Sequence, residues 1–198
     1  MRKEIFTTIY TNNWWNSSES RSGEGSELKS TQVLRQELPF LFKKYNIQSI
    51  LDIPCGDFNW MKEVDLSGIN YVGADIVDDL IASNKVKYPQ HNFIVLDLVN
   101  DPLPKADLVF VRDCLVHLSN ASISQALENI KKSGSKYLLT TSFVKLENNT
   151  DILDGSWRVI NLLASPFKMT PIYLINEDCR VQYPDYNDKC MLLFDLRT

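Results

Sequence analysis

The chain has 198 residues, of which 44% are hydrophobic and 23% are charged, a balance typical of a soluble protein with one sizeable core. Its net charge is −4 and its basic residues are scattered, which excludes the electropositive surface that binds a nucleic-acid backbone. No apolar run is long enough for a membrane span or a secretory signal, so we expect a cytoplasmic protein without a membrane partner. The four cysteines, Cys55, Cys114, Cys179 and Cys190, lack metal-ligand spacing, and we interpret them as reduced thiols.

Residues 1–27 form a polar and aromatic arm ahead of the first predicted core element. The arm contains Trp14 and Trp15 and then the small-residue segment 20–26 (SRSGEGS), which includes Glu24. Two interpretations stay open. The arm is flexible, or it is a lid, because tryptophans need burial and Gly-Ser segments supply hinges and backbone donors near ligands.

Apolar residues at helical spacing predict a helix over residues 28–45, with Ser26 or Glu27 at its cap and a kink or division at Pro39. Short apolar segments then predict five strands, at 49–53, 71–75, 92–96, 107–111 and 136–141.

Helical patterns separate several of these strands, one over residues 77–88 and another that is capped by Ser119 and stopped by Gly134. Residues 171–176 and 190–196 predict two more strands, whose polar connection suits an antiparallel hairpin at the sheet edge. The alternation predicts an α/β fold with a Rossmann-like doubly wound sheet of seven strands, mostly parallel, with that hairpin at its C-terminal end. We expect one domain over residues 1–198, with an insertion at 151–171 after the fifth strand.

Four of the parallel strands end at or beside an aspartate: Asp52, Asp75, Asp97 and Asp113. The carboxyl ends of such strands form the ligand-binding edge of α/β folds. Asp75 lies 23 positions after Asp52, the distance at which the acid that ends the second strand meets the ribose of a bound nucleoside. The turn after the first strand has Gly56 but lacks the G-x-G-x-x-G pattern, which argues against a nicotinamide cofactor.

The segments LDIPCGD (51–57), GADI (73–76), LDL (96–98) and LVFVRDCLVHLS (108–119) together resemble the motifs of class I S-adenosylmethionine-dependent methyltransferases. The resemblance runs from about residue 26 to the C-terminus and implies S-adenosylmethionine as the cofactor. The cofactor-binding residues that it implies are Asp52, Pro54, Cys55, Gly56, Asp57, Trp60, Asp75, Ile76, Asp97, Leu98 and Arg112. The chain departs from the family's first motif in having Pro54 and Phe58 where the first and last glycines stand.

Together with SRSGEGS, these motifs are similar to a narrower group of small methyltransferases, found alone or fused to glycosyltransferases, including in large algal viruses. This similarity implies methylation of a sugar hydroxyl on a glycan or activated sugar, by a chain that acts alone or as a domain of a larger glycan-synthesis protein. Two other functions stay open: methylation of another small molecule or a protein side chain, and a non-catalytic cofactor-binding regulatory subunit.

Asp113 and His117 are the predicted catalytic residues, because four residues of separation lets both side chains face one site. A sugar hydroxyl is a weak nucleophile, and His117, tuned or held by Asp113, is the natural base for its proton. Two alternatives remain: alignment of the nucleophile without a base, and a divalent ion held by Asp113, Asp151 and Asp154. Because no spacing requires an ion, the predicted site has no metal.

The predicted acceptor pocket combines the arm with the insertion at 151–171. Its predicted residues are Trp14, Trp15, Glu24, Trp157 and Arg158. Tryptophan faces suit the C–H groups of a sugar ring, and an arginine offers paired donors to hydroxyls. The alternative for the insertion is an ordinary edge helix with a core tryptophan.

Overall fold

The computed structural model describes residues 2–178 and 184–197, so Cys179 lies outside the described residues. The strands are β1 (Ser49–Asp52), β2 (Asn70–Asp75), β3 (Asn92–Val95), β4 (Leu108–Val111), β5 (Tyr137–Phe143), β6 (Tyr173–Asn176) and β7 (Lys189–Asp195). They form one sheet in the order β3-β2-β1-β4-β5-β7-β6. The first five strands pair in parallel, and β7 pairs antiparallel with both β5 and β6. The predicted doubly wound sheet with a C-terminal hairpin is confirmed.

The α-helices are α1 (Arg2–Asn12), α2 (Gln32–Lys44), α3 (Asp78–Lys87) and α4 (Asn120–Lys132). Helices α2 and α3 cover one face of the sheet and α4 covers the other. Helices α2 and α4 each have an apolar stripe at helical spacing, whereas α3 buries only Leu80, Ile81 and Asn84. In α4 that stripe is Ile123, Ala126 and Ile130, all fully buried. Ser119 caps α4 as predicted, since its side chain accepts a 3.2 Å hydrogen bond from the Ser122 amide.

Helix α2 differs from its prediction at both its start and its middle. It begins at Gln32 with Thr31 at the cap position, because the preceding residues form a turn in which the Thr31 hydroxyl donates to the Glu27 carbonyl at 3.0 Å. It also runs through Pro39 without a break, so the predicted division of the helix is wrong. Leu38 and Leu41 on either side of the proline are buried, and this packing keeps the helix intact despite the lost amide donor.

The N-terminal arm is packed over the carboxyl ends of the strands. Its first part is α1, and its second part is a loop held by the Asp57 carboxylate, which accepts from the Ser20 hydroxyl at 2.9 Å and the Arg21 amide at 2.8 Å. Within the loop, the Ser17 hydroxyl donates to Glu27 at 2.8 Å. The loop therefore has a defined conformation against the turn that follows β1.

The insertion at 151–171 contains no helix and no strand, so the alternative of an edge helix is wrong. It lies against the segment that follows β4, where the Gly155 amide donates to the His117 carbonyl at 2.8 Å and the Arg158 amide donates to the Val116 carbonyl at 3.0 Å. Both the arm and the insertion thus reach the same edge of the sheet. Within the described ranges, no helix is long and apolar enough to cross a membrane.

Candidate active site

Three adjoining cavities open along the carboxyl edge of the parallel strands. The α1 cavity is bounded by α1 and the ends of β2 and β3, the β1 cavity by the turn after β1, and the aromatic cavity by the arm and the C-terminal hairpin. Asp113, which follows β4, lines all three. This residue therefore stands where a ligand in one cavity meets a ligand in another.

The α1 cavity has mostly apolar walls, which include Phe6, Ile53 and Leu96. Its lining includes the predicted residues Pro54, Asp75, Ile76, Asp97 and Leu98. The Asp75 carboxylate accepts from the Val77 amide at 3.0 Å and the Gly56 amide at 3.3 Å. Burial raises the pKa of Asp75 to about 6.

The Asp97 carboxylate lies on the far side of the α1 cavity and is already hydrogen-bonded. It accepts from the Val99 amide at 2.9 Å, the Asn100 side-chain amide at 2.8 Å and the Arg2 guanidinium at 2.7 Å. Arg2, which the sequence did not predict as a site residue, therefore forms part of this wall.

The β1 cavity is lined by the predicted residues Asp52, Pro54, Cys55, Gly56, Trp60 and Arg112, together with Asp75. Gly56 has φ +54°, and a Cβ there would lie 2.2 Å from the Ser22 hydroxyl oxygen, so this turn requires glycine. Asp52 is 3% exposed and accepts a 2.6 Å hydrogen bond from the Tyr71 hydroxyl. Burial raises its pKa to about 7. A cation bound beside the carboxyl group would lower that pKa again.

Two residues of the first motif, Asp57 and Phe58, lie outside the linings of the three cavities. Asp57 lines none of the three cavities, because its carboxylate binds the arm at Ser20 and Arg21. Phe58 points into the core, where its ring is 5.2 Å from that of Tyr71 and 5.3 Å from that of Phe93. The implied cofactor contact of the Asp57 side chain is therefore corrected to a structural role in holding the arm.

Asp113 is held by cations on two sides. Its carboxylate lies 2.7 Å from the Lys189 ammonium and 3.3 Å from the Arg112 guanidinium, and it accepts from the Thr141 hydroxyl at 3.2 Å. Although burial opposes ionisation, the charges of Lys189 and Arg112 hold the pKa of Asp113 well below its usual range. Arg112 is also anchored by Glu177, whose carboxylate lies 2.6 Å away. Asp113 is therefore a fixed anion and not a proton carrier at neutral pH.

His117 lines both the α1 cavity and the aromatic cavity. Its Nδ1 atom lies 2.9 Å from the carbonyl oxygen of Ser156, and since a carbonyl can only accept, Nδ1 carries the proton. The lone pair of the neutral ring is then on Nε2. Burial lowers the pKa of His117, which favours this neutral form, while the charge of Asp113 acts in the opposite direction.

Of the two predicted relations, Asp113 tunes His117 through its charge, but it does not hold the ring. The hydrogen bond that orients the ring is donated by Nδ1 to the Ser156 carbonyl. The reason is topological: the insertion runs past His117 and offers its main-chain carbonyl, whereas Lys189 and Arg112 occupy the Asp113 carboxylate.

The aromatic cavity is the largest of the three, with a volume of about 290 Å³. Its lining includes Trp15, Glu24 and Trp157, which were predicted to bind the acceptor, and the predicted catalytic residues Asp113 and His117. The lining residues that were not predicted include Val116, Phe143, Tyr186 and Lys189. The rings of Trp157 and Tyr186 meet edge to face at 5.5 Å, and the ring of Trp15 lies 5.5 Å from that of His117.

Trp14 and Arg158 were predicted in this pocket, but the structure places both outside its lining. Trp14 is 63% exposed. Arg158 is 7% exposed, and its guanidinium donates to the carbonyl oxygens of Leu115 at 2.9 Å and Leu118 at 3.0 Å. It also donates to the Thr150 carbonyl at 3.1 Å. Arg158 therefore supports the turn that carries His117, and its guanidinium is directed at main-chain carbonyls outside the aromatic cavity.

The three aspartates considered for a divalent ion do not converge. Asp151 accepts from the Asn120 amide at 2.7 Å, whereas Asp154 accepts from the Ser119 amide at 2.7 Å and also binds Arg2. Asp113 is held instead by Lys189. Across residues 2–178 and 184–197, no three His, Cys, Asp or Glu side chains are grouped closely enough to hold a metal ion.

No protein-family model matches the chain, and no curated protein matches it. Solved structures do match it. Human N-acetylserotonin methyltransferase in complex with SAM (S-adenosylmethionine) is 16% identical with a TM-score of 0.66; the match covers 97% of this chain, which spans 59% of the human chain. A SAM-dependent methyltransferase from Leishmania major is 12% identical with a TM-score of 0.68, and the match covers 95% of this chain and 82% of that one.

Magnesium protoporphyrin IX methyltransferase from Synechocystis with bound SAM is 11% identical with a TM-score of 0.62, and the match covers 98% of this chain and 96% of that one. At these identities the likeness establishes the fold. The chain has the Rossmann-like fold of SAM-dependent methyltransferases, as the sequence resemblance implied.

Proposed function

We propose that the chain is an S-adenosylmethionine-dependent methyltransferase, and the observation that carries the proposal is that Asp113 lines three adjoining cavities. Two of them suit the two ends of this cofactor. The α1 cavity offers apolar walls for adenine and the Asp75 carboxylate for ribose hydroxyls, and the β1 cavity adds the buried Asp52 for a cationic group. When bound, S-adenosylmethionine supplies an electrophilic methyl group on a positively charged sulfur.

We propose a sugar hydroxyl as the methyl acceptor, bound in the aromatic cavity. Trp15, Trp157 and Tyr186 offer aromatic surface to the C–H groups of a sugar ring. Glu24 and Lys189 supply a carboxylate and an ammonium group in the same lining, which suits a ligand with several hydroxyls. The resemblance of the motifs to glycan methyltransferases supports the same assignment.

His117 is the proposed general base. With the cofactor bound, its Nε2 lone pair would accept the hydroxyl proton while the oxygen forms a bond to the methyl carbon, the carbon–sulfur bond breaks and S-adenosylhomocysteine leaves. The hydrogen bond from Nδ1 to the Ser156 carbonyl keeps the ring oriented for that proton transfer. The ring becomes a cation in this step. The nearby fixed negative charge of Asp113 stabilises that cation, because it raises the pKa of His117.

A second acceptor class has one observation in its favour. The rings of Trp15, Phe143, Trp157 and Tyr186 all line the cavity, and such walls also suit a planar aromatic alcohol. A polyhydroxylated acceptor would depend on Glu24, whereas a planar phenol would depend mainly on ring contacts. Glu24→Gln therefore separates the two classes by its effect on the acceptor KM.

The test is methyl transfer from labelled S-adenosylmethionine to a panel of nucleotide sugars, oligosaccharides and phenols. We expect S-adenosylhomocysteine and a methylated sugar. Trp157→Ala should raise the acceptor KM or lower kcat/KM, and Trp14→Ala, which removes an exposed tryptophan outside the cavity, is the matched control. Transfer to phenols alone would replace the sugar with the second class. Absence of S-adenosylhomocysteine formation with every acceptor would contradict the proposed activity.

A further inference from the structure

We propose that α1 is a binding element of the cofactor site and that Arg2 holds it over the α1 cavity, so that release of the cofactor requires Arg2 to leave its partners. This inference rests on the proposed function. It concerns a segment that neither the sequence motifs nor the fold comparison assigns to the cofactor.

Arg2 joins the start of α1 to three separate segments. Its Nη1 donates to Asp97 after β3 at 2.7 Å, its Nε donates to Asp154 in the insertion at 3.0 Å, and its Nη2 donates to the Ser122 hydroxyl in α4 at 3.2 Å. The side chain is only 15% exposed. Because each guanidinium nitrogen has a partner and the pairs are largely shielded, this contact is stronger than an ordinary surface ion pair.

One turn further along α1, Phe6 lines the same cavity beside the ring of His117, at 6.3 Å between centroids. Ile5 packs closely against the insertion, since a Cβ added to Gly155 would lie 2.4 Å from its Cγ2. Arg2 and Phe6 therefore form one wall of the α1 cavity, facing Ile76 and Leu98 on the sheet side. A nucleoside bound there is enclosed between α1 and the strand ends.

The rest of α1 is only partly buried. Among its eleven residues, Ile9 is the one that is fully buried, and Phe6 and Tyr10 pack partly buried against the core. The side chains of Thr8 and Asn12 donate only to carbonyls within the helix, of Glu4 and Thr8 respectively. A helix with so little buried surface depends on its few anchored side chains, so the Arg2 contact decides how readily α1 moves away from the cavity.

The experiment measures dissociation of S-adenosylhomocysteine from the full chain by stopped-flow tryptophan fluorescence. Arg2→Gln removes the charge of the contact, and Asp154→Asn weakens it from a residue outside the α1 cavity lining. Lys3→Gln is the matched control, because the neighbouring Lys3 pairs with Asp78 at the exposed surface. We expect dissociation to be at least about tenfold faster in Arg2→Gln and Asp154→Asn and within about twofold of the parent in Lys3→Gln.

Dissociation from Arg2→Gln within twofold of the parent, or an equal acceleration in Lys3→Gln, would overturn the inference. Hydrogen exchange of the α1 amides gives a reading that needs no cofactor. Arg2→Gln should increase exchange across α1 by about tenfold or more while Lys3→Gln leaves it unchanged, and equal exchange in both variants overturns the role of Arg2. If the parent protein does not bind S-adenosylhomocysteine, the proposed function fails, and hydrogen exchange still decides whether Arg2 holds α1.

Discussion

His117 and Ser156 are joined by a hydrogen bond of 2.9 Å between the imidazole Nδ1 and the main-chain carbonyl oxygen. The bond fixes the tautomer, and the Gly155 amide returns a second bond to the His117 carbonyl at 2.8 Å. The insertion thus clamps this residue at both its ring and its main chain. The Nε2 atom takes no part in this bond, so it can accept a proton from a ligand in the cavities that the ring lines.

Replacement of His117 by Ala should lower kcat by roughly 10²-fold or more, since a positioned base contributes on that scale. The dissociation constant of S-adenosylhomocysteine should change by less than about threefold. Added imidazole should restore part of the turnover if the missing group is a base. Full turnover in the variant would show that alignment alone drives the reaction.

The pH dependence of kcat/KM should reflect the protonation of His117. Burial lowers the pKa of His117 from its ordinary value of 6.5, so the neutral, proton-accepting form predominates at and above neutral pH. Activity should therefore fall as the pH drops through a value below 6.5. If the fall in activity at low pH is unchanged in His117→Ala, the titrating group is a residue other than His117.

The buried carboxyl groups of Asp52 and Asp75 should make the free energy of unfolding depend on pH. Their folded-state pKa values, about 7 and about 6, stand above the ordinary 3.8 because both are buried. The native state thus retains protons that the unfolded chain has lost, and these two residues lower the free energy of unfolding as the pH rises from about 4 to about 7.

A cation bound beside these carboxylates should reverse that effect and release their protons. Calorimetry of S-adenosylmethionine binding at about pH 6, in buffers of different ionisation enthalpy, should show release of up to roughly one proton. Asp52→Asn should reduce the number released. Proton uptake on binding would contradict the placement of a cationic group in the β1 cavity.

Arg158 should behave as a structural residue. Its replacement by Ala leaves the buried carbonyls of Leu115 and Leu118 without donors, which should cost about 2–3 kcal/mol in the free energy of unfolding. Lys should not restore this stability, because it cannot reproduce the planar set of donors. Thermal and denaturant unfolding measure the stability of both variants. An unchanged stability together with an increased acceptor KM would show that Arg158 binds the acceptor.

The sheet was predictable because parallel strands are buried on both faces and appear as short apolar runs, such as Leu108–Val111. The acids that end them, including Asp75, face the cavities for the same topological reason. Helix α1 was not predicted because Ile9 is its one fully buried residue and polar contacts of Arg2 hold its start. Its pattern therefore carries no strong apolar stripe to recognise.

The acceptor side was harder to predict than the cofactor side. Tyr186 and Lys189 reach the aromatic cavity through the C-terminal hairpin, at least 69 residues away from His117 and Asp113 along the chain, and no local motif indicates that contact. Arg158 was misassigned because the same guanidinium can serve a ligand or main-chain carbonyls. Only the path of the main chain distinguishes the two roles.

The proposed cofactor site is tested most directly by calorimetric titration of S-adenosylmethionine into the parent protein and into Asp75→Ala, with NAD as the comparison ligand. We expect the parent to bind S-adenosylmethionine and Asp75→Ala to bind it with an affinity about 10- to 100-fold lower, because ribose hydroxyls lose their charged acceptor. Tight binding of NAD without any heat from S-adenosylmethionine, or equal affinity of the two proteins for S-adenosylmethionine, would contradict the proposed site.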